Sequence, residues 1–171
     1  MTSALFPDYS VHCVFDSTRT YRYIWSYELG VYPARPPRRL MFVGLNPSKA
    51  DEYVLDNTVR KLIGWTRDWG FSALDVANAY AYRSTDPRNL KHVADPIGPE
   101  NDRYIIEVAE RASLHLVGWG RHATLLDRGR KVAAMLARFN PVCLHINADG
   151  SPGHPLYLPN ATKPVPYQIP V

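Results

Sequence analysis

Apolar and polar residues fall in alternating blocks along the chain. Residues 11–29, VHCVFDSTRTYRYIWSYEL, hold two β-prone runs around a polar Asp16-Ser17-Thr18-Arg19-Thr20 turn, which predicts an antiparallel hairpin. Pro33-Ala34-Arg35-Pro36-Pro37 closes this unit as a stiff linker. LMFVG at 40–44 is a short apolar run bounded by turn residues, the pattern of a strand buried on both faces. Over 57–69, Val59, Leu62, Ile63, Thr66 and Trp69 recur at helical spacing, with Asp56 or Asn57 as the cap and Gly70 as the stop. ALDVAN at 73–78 reads as a strand. Glu100 to Ala112 reads as a helix with Ile105, Val108, Ala109 and Ala112 on one face and Pro99 near its start. LHLVGWG at 114–120 is a third core strand. A helix over 122–138 follows, carrying Leu125, Val132 and Leu136 on a stripe that ends at Phe139, and VCLHI at 142–146 is the fourth strand.

Strands alternating with helices predict an α/β fold: a three-layer αβα sandwich around a four-stranded, mostly parallel sheet with right-handed crossovers. The expected organisation is one domain over 1–171, in which the hairpin of 1–37 is an extension packed on a 38–171 core. In such folds ligands bind beyond the carboxyl ends of the strands. Four segments arrive there: Gly44-Leu45-Asn46-Pro47-Ser48, Asn78-Ala79-Tyr80-Ala81-Tyr82-Arg83, Gly118-Trp119-Gly120 and Gly150 to Tyr157. Asn46, Asn78 and His154 therefore share one edge, among glycines that let backbone approach a ligand. Asn46, Asn78 and the Gly118-Trp119-Gly120 segment have plain alternatives, whereas His154, between Gly and Pro in a long loop, is less easily explained as core packing. Asn-Pro after a strand is an ordinary turn, an Asn at a strand end caps it, and Gly-Trp-Gly serves close packing.

Composition narrows the chemistry. With 46% apolar and 12% aromatic residues the chain can bury a core without disulfides. Cys13 and Cys143 sit far apart in apolar runs and form no Cys-x-x-Cys, so both read as small hydrophobes. The histidines make no i, i+4 pair and no His-x-His, so no metal site is expected, and His115 and His145 read as structural. Walker and dinucleotide loops and the Gly-x-Ser-x-Gly elbow are missing, so no cofactor is expected. Neither a signal peptide nor an apolar run of membrane-spanning length is visible, so a soluble, cytoplasmic monomer without membrane contact is the expectation. Net charge is +4, with arginine outnumbering lysine fifteen to five. Arg35, Arg38, Arg39, Arg83, Arg88 and Lys91 lie in loops beside aromatics, which suits phosphates, although solvated charge is the simpler account of any one cluster. Among the acids, Asp51, Glu52 and Asp56 include a candidate general base, with Asp56 also the expected helix cap.

At these residues the chain resembles two families. Leu45-Asn46-Pro47-Ser48-x-Ala50-Asp51, Thr58-Val59-Arg60, Trp69-Gly70-Phe71, Tyr82-Arg83-x-Thr85-Asp86-Pro87 and Gly98-Pro99-Glu100-Asn101-Asp102 are similar to the domain of unknown function 1643, over about 15–165. Four shorter motifs resemble, in order, those of the uracil-DNA glycosylase superfamily. They are Gly44-Leu45-Asn46-Pro47, Asn78 to Arg83, Leu116-Val117-Gly118-Trp119-Gly120-Arg121-His122-Ala123, and His154-Pro155.

The second resemblance implies a uracil-DNA glycosylase-like fold and hydrolysis of an N-glycosidic bond after a nucleotide is flipped from the stack. Asn46 would position water, Asp51 would assist proton removal, and His154 would stabilise charge on the departing base. Asn78 would read the base edge, with Leu45 beside it and Tyr80 or Tyr157 stacking on the base. Ser48, Arg83, Leu156 and Leu158 would contact nucleic acid, the Pro155–Leu158 loop as an apolar wedge. In the family Ser follows His-Pro; here Leu156 does. The implied partner is DNA or a nucleotide. A non-catalytic nucleobase reader, and an enzyme acting on modified bases or free nucleotides, fit the same residues.

Overall fold

The computed structural model describes residues 9–30, 38–49 and 55–169. β1 (Tyr9–Phe15) and β2 (Arg22–Leu29) form the expected hairpin. Its turn is built on Asp16, whose carboxylate accepts from the backbone N–H groups of Tyr21 (2.7 Å) and Thr18 (3.2 Å), with Arg19 left-handed at φ 57°. β3 (Arg39–Gly44), β4 (Ala73–Asn78), β5 (Leu114–Val117) and β6 (Val142–Cys143) are the parallel strands.

The sheet has seven strands, in the order β1-β2-β4-β3-β5-β6-β7, and so exceeds the four expected. The hairpin is no appendage. β2 pairs antiparallel with β4, from Trp25 opposite Val76 to Glu28 opposite Ala73, so the sheet continues through it. The cause is burial on both faces: Arg22 through Tyr27 are all buried. At the other edge β7 (Val165–Pro166) pairs with β6, within a proline-rich tail that carries no strand pattern; an edge is where a strand tolerates proline.

Alternation along β3 divides the core. Leu40 and Phe42 face α1 (Asn57–Asp68), packing with Leu62, Ile63, Trp65, Leu74, Val76 and Leu116. Met41 and Val43 face α2 (Asn101–Arg111) and α3 (Arg128–Leu136), with Ile105, Val108, Ala109, Val132, Ala133 and Leu136. One helix thus covers one face and two cover the other. Asp56 caps α1, accepting from the Val59 N–H at 2.8 Å, and Gly70 leaves it at φ 74°.

Two further expectations change. The last helix starts at Arg128, because residues 120–127 form two short 3₁₀ turns with Leu126 and Asp127 left-handed (φ 58° and 56°). That detour wraps the chain around Trp119. Gly129 packs so closely that a Cβ there would lie 3.0 Å from the indole nitrogen. β6 stops at Cys143, because residues 145–153 fold back on themselves, with Gly153 N–H donating to the His145 carbonyl at 2.6 Å. Among the described residues no helix is long and apolar enough to cross a membrane.

A candidate functional site at the carboxyl edge

A cleft of about 540 Å³ opens where β3, β4 and β5 end, on the α1 side of the sheet. Its lining comes from every carboxyl-end segment: Gly44 to Ser48, Asn78, Trp119 to His122, and His154 with Tyr157. Asp56, Thr58, Val59 and Leu62 from the start of α1 close one wall. Asn46, Asn78 and His154 are thus brought together.

Asn46 leaves β3 half-buried. Its Nδ2 donates to the carbonyls of Ser84 (2.8 Å) and Pro47 (3.2 Å), while Ser84 N–H donates back to Pro47 O at 2.9 Å. Two acceptors at one end force that end to be the NH₂, so Oδ1 is left as the free acceptor among the described residues. The same bonds lock the loop after β3 to the loop after β4.

Asn78 ends β4 opposite Gly44 and is 5% exposed. Its side-chain carboxamide has no hydrogen-bond partner among the described residues. It lines the cleft with its donors and acceptor unused by the described residues, so it can hydrogen-bond a ligand there. Gly44 is what gives it room: a Cβ there would sit 3.0 Å from Asn78 Oδ1 and 3.1 Å from the Phe42 ring.

His154 is carried over the end of β5 by a tight approach. Gly120 N–H donates to Pro152 O at 2.9 Å. At Gly118 a Cβ would lie 2.9 Å from the Phe42 ring and 3.1 Å from Gly153 O, so glycine there permits the crossing. The imidazole Nδ1 accepts from Leu156 N–H at 3.3 Å. In the neutral ring the proton then sits on Nε2, leaving a donor. His154 is exposed at the cleft, yet desolvation by the surrounding walls moves its pKa below the ordinary value, against the opposing carboxylate of Asp56, which favours the neutral ring.

The remaining expected residues divide. Leu45 and Ser48 line the cleft, and Tyr157 stands at its rim, 89% exposed. Tyr80 does not line it. It is fully buried in the core under α2 and α3, its hydroxyl donating to Leu125 O at 2.9 Å, and burial pushes its phenol up to about 12 against the charge of Arg128. Arg83 ties loops together, donating to Arg19 O and Lys49 O at 2.9 Å each. Leu158 packs against the α1-side core, and Leu156 is half-buried with its carbonyl accepting from Lys61 Nζ, as does that of Leu158. In this loop Tyr157, rather than either leucine, projects. Asp51 lies outside the described residues.

Sequence reasoning missed Arg22 and Phe42. Arg22 is 8% exposed, sits in β2, and brings positive charge to the lining. Phe42 forms an aromatic floor between Gly44 and Gly118. The one sign of Arg22 was a charge inside an aromatic run; Phe42 gave none. With Arg22 and Arg121 against Asp56, the one acid among the described lining residues, the cleft favours anionic ligands. No three His, Cys, Asp or Glu side chains gather to hold a metal among the described residues.

Residues 22–156 match the family described as protein of unknown function (DUF1643), and the chain belongs to that family. No curated protein and no solved structure matches the chain.

Proposed function

We propose that this DUF1643 protein is a uracil-DNA glycosylase-like N-glycosidase, binding a nucleobase of DNA or of a nucleotide in the carboxyl-edge cleft and hydrolysing its glycosidic bond. The observation that carries the reading is the Asn78 carboxamide, lining the cleft with no hydrogen-bond partner among the described residues, beside Asn46 and His154. One amide offers an acceptor and two donors, which matches the edge of a base.

In the reaction, water oxygen bonds to the sugar C1′ as the C1′–N bond breaks, and the bond's electron pair leaves with the base. Asn46 Oδ1 accepts a hydrogen bond from that water and orients it. Negative charge spreads onto a carbonyl oxygen of the base, where the Nε2–H of neutral His154 donates. The water proton passes to solvent or to Asp51, and the departing base takes a proton from solvent. Tyr157 at the rim offers a stacking face, worth about 1–3 kcal/mol to an exposed base, and the positive mouth attracts phosphate.

The test is base release from oligonucleotides containing uracil, hypoxanthine, xanthine or mismatches, and from the matching free nucleotides, with Asn46→Ala and His154→Ala as controls. Release by the wild type that falls in both variants supports the proposal; no release from any substrate sinks it. A second reading, a base reader without catalysis, is favoured by one feature: the Asn46 amide is clamped to Ser84 O and Pro47 O, as a turn-stabilising side chain would be. Binding of base-containing ligands without release would select it. A steep fall of affinity with salt would identify a polynucleotide rather than a free nucleotide.

A further inference from the structure

The Gly98-Pro99-Glu100-Asn101-Asp102 segment plays no part in the cleft lining, yet it reaches the cleft from behind. Gly98 is left-handed at φ 92°, and a Cβ there would lie 3.0 Å from the Tyr21 ring, so glycine delivers the chain into α2 at this point. Asn101, the first residue of α2, is fully buried. Its Nδ2 donates to Asn78 O (3.0 Å) and Ala79 O (3.1 Å). Arg128, the first residue of α3 and 1% exposed, donates from Nε to the same Ala79 carbonyl at 2.6 Å, while its Nη2 pairs with Asp102. From the opposite side Ala79 N–H donates to Gly44 O and Tyr80 N–H to Leu45 O, at 2.9 Å each.

We infer that Asn101 and Arg128 are positioning residues that hold the Asn78 carboxamide in the geometry that selects a base. This inference rests on the reading that Asn78 contacts the base. The two peptide groups after Asn78 are fixed at donor and acceptor alike, so the backbone that aims the Asn78 side chain has no freedom to turn. Two helices that start on the far face of the sheet converge on those carbonyls, and a guanidinium is buried to complete the grip. Burying an arginine is expensive unless its charge is paired and its donors are used. Here Asp102 supplies the charge and Ala79 O takes the inner donor. Asn101 Oδ1 is buried without a partner among the described residues, so the side chain's described hydrogen bonds are the two donations to the carbonyls.

The experiment follows the Asn78 side-chain amide by NMR in the ligand-free protein, assigned by its loss in Asn78→Ala. It also measures dissociation constants for deoxyuridine, deoxyinosine and the four common deoxynucleosides. Variants are Asn101→Ala, Asn101→Ser as a milder second change, Arg128→Lys and the double variant Asn78→Ala/Asn101→Ala. The Asn78 amide resonances are expected to shift or broaden in Asn101→Ala. The ratio of best to worst nucleoside is expected to drop about tenfold, the worth of one neutral hydrogen bond. The double variant is expected to match Asn78→Ala alone, and Arg128→Lys to keep part of the preference. An Asn78 resonance unmoved in both Asn101 variants overturns the inference. So does an equal loss of affinity for every nucleoside, the mark of a merely structural role. If the wild type binds none of the nucleosides, the same ratios are read on oligonucleotides carrying those bases; if it binds neither, the proposed function fails, and the resonances alone decide this inference.

Discussion

Asp75→Asn tests the electrostatic frame that holds the strands bearing the cleft. The Asp75 carboxylate in the middle of β4 has no solvent exposure. It accepts from Ser26 Oγ (2.6 Å), from Arg39 Nε (2.7 Å) and Nη2 (2.9 Å), and from Arg111 Nη2 (2.8 Å). It thus joins β2, β3, β4 and the end of α2. Asparagine keeps the volume, but it removes the charge and turns an NH₂ toward arginine donors. Breaking a buried pair at one partner costs about 3–5 kcal/mol. The lower end applies, since Arg39 keeps Glu28 at 2.7 Å and half-exposed Arg111 can turn to water. A loss of about 3 kcal/mol in a chain of this size lowers Tm by roughly 6–12 °C. Thermal unfolding followed by circular dichroism at neutral pH reads it directly. The pH dependence adds a sign. Burial alone would raise the Asp75 pKa, but the hydrogen bonds from Arg39 and Ser26 and the charges of Arg39 and Arg111 outweigh it and hold the pKa below the ordinary value. The stability it contributes is therefore full above the unfolded carboxylate value, about pH 4, and is lost as pH falls through the lower folded value. The gap between wild type and variant should close there. A variant melting within about 2 °C of wild type at neutral pH would refute the reasoning.

Gly118→Ala should cost about 1–3 kcal/mol through overpacking, because the new methyl meets the Phe42 ring and the Gly153 carbonyl; an unchanged melting curve would mean the 150–157 loop yields freely. Asn78→Ala should leave Tm almost unchanged, since its carboxamide has no partner among the described residues, yet weaken base binding about tenfold for each hydrogen bond lost. A large stability loss with intact binding would reverse that assignment. The acid limb of the pH profile of base release should have its midpoint below the ordinary imidazole value of about 6.5, because desolvation moves the His154 pKa down. An acid limb above that value would mean another group titrates.

Elements buried on one or two clear faces were legible. β3, β4, α1 and α2 lie within a residue or two of their expected bounds because sheet and helix each impose a period on the apolar residues. The start of α3 was hidden, since Leu125 continues the helical stripe while the left-handed pair Leu126 and Asp127 answers to packing around Trp119. β2 offered its signal openly, with Tyr23, Ile24, Trp25 and Tyr27 bulky on both faces, but reading the hairpin as an extension overlooked that burial on both faces needs a neighbouring strand. Tyr80 misled because it follows Asn78 by two positions; strand alternation no longer applies past the end of β4, and the chain turns it into the opposite core. Asn101 was visible as a motif but not as a function, because it acts on backbone carbonyls, which leave no mark on residue type.

The cleft itself follows from strand order. β3 and β5 are neighbours, yet the chain leaves β3 toward α1 on one face and β5 toward α3 on the other, so their carboxyl ends part and leave a gap between the departing loops. Such a gap positions chemistry only if its walls do not move independently. Here each wall is tied to the next. Asn46 bonds the β3 loop to the β4 loop at Ser84, the Asn78–Tyr80 backbone is bonded to Gly44 and Leu45, and the β5 loop is bonded to Pro152 beside His154. The three side chains come from three different connections but belong to one hydrogen-bonded frame, the condition for a site that keeps its geometry without a ligand. A functional loss caused by cutting one tie, such as Asn46 to Ser84, should therefore reach the residues on the other walls.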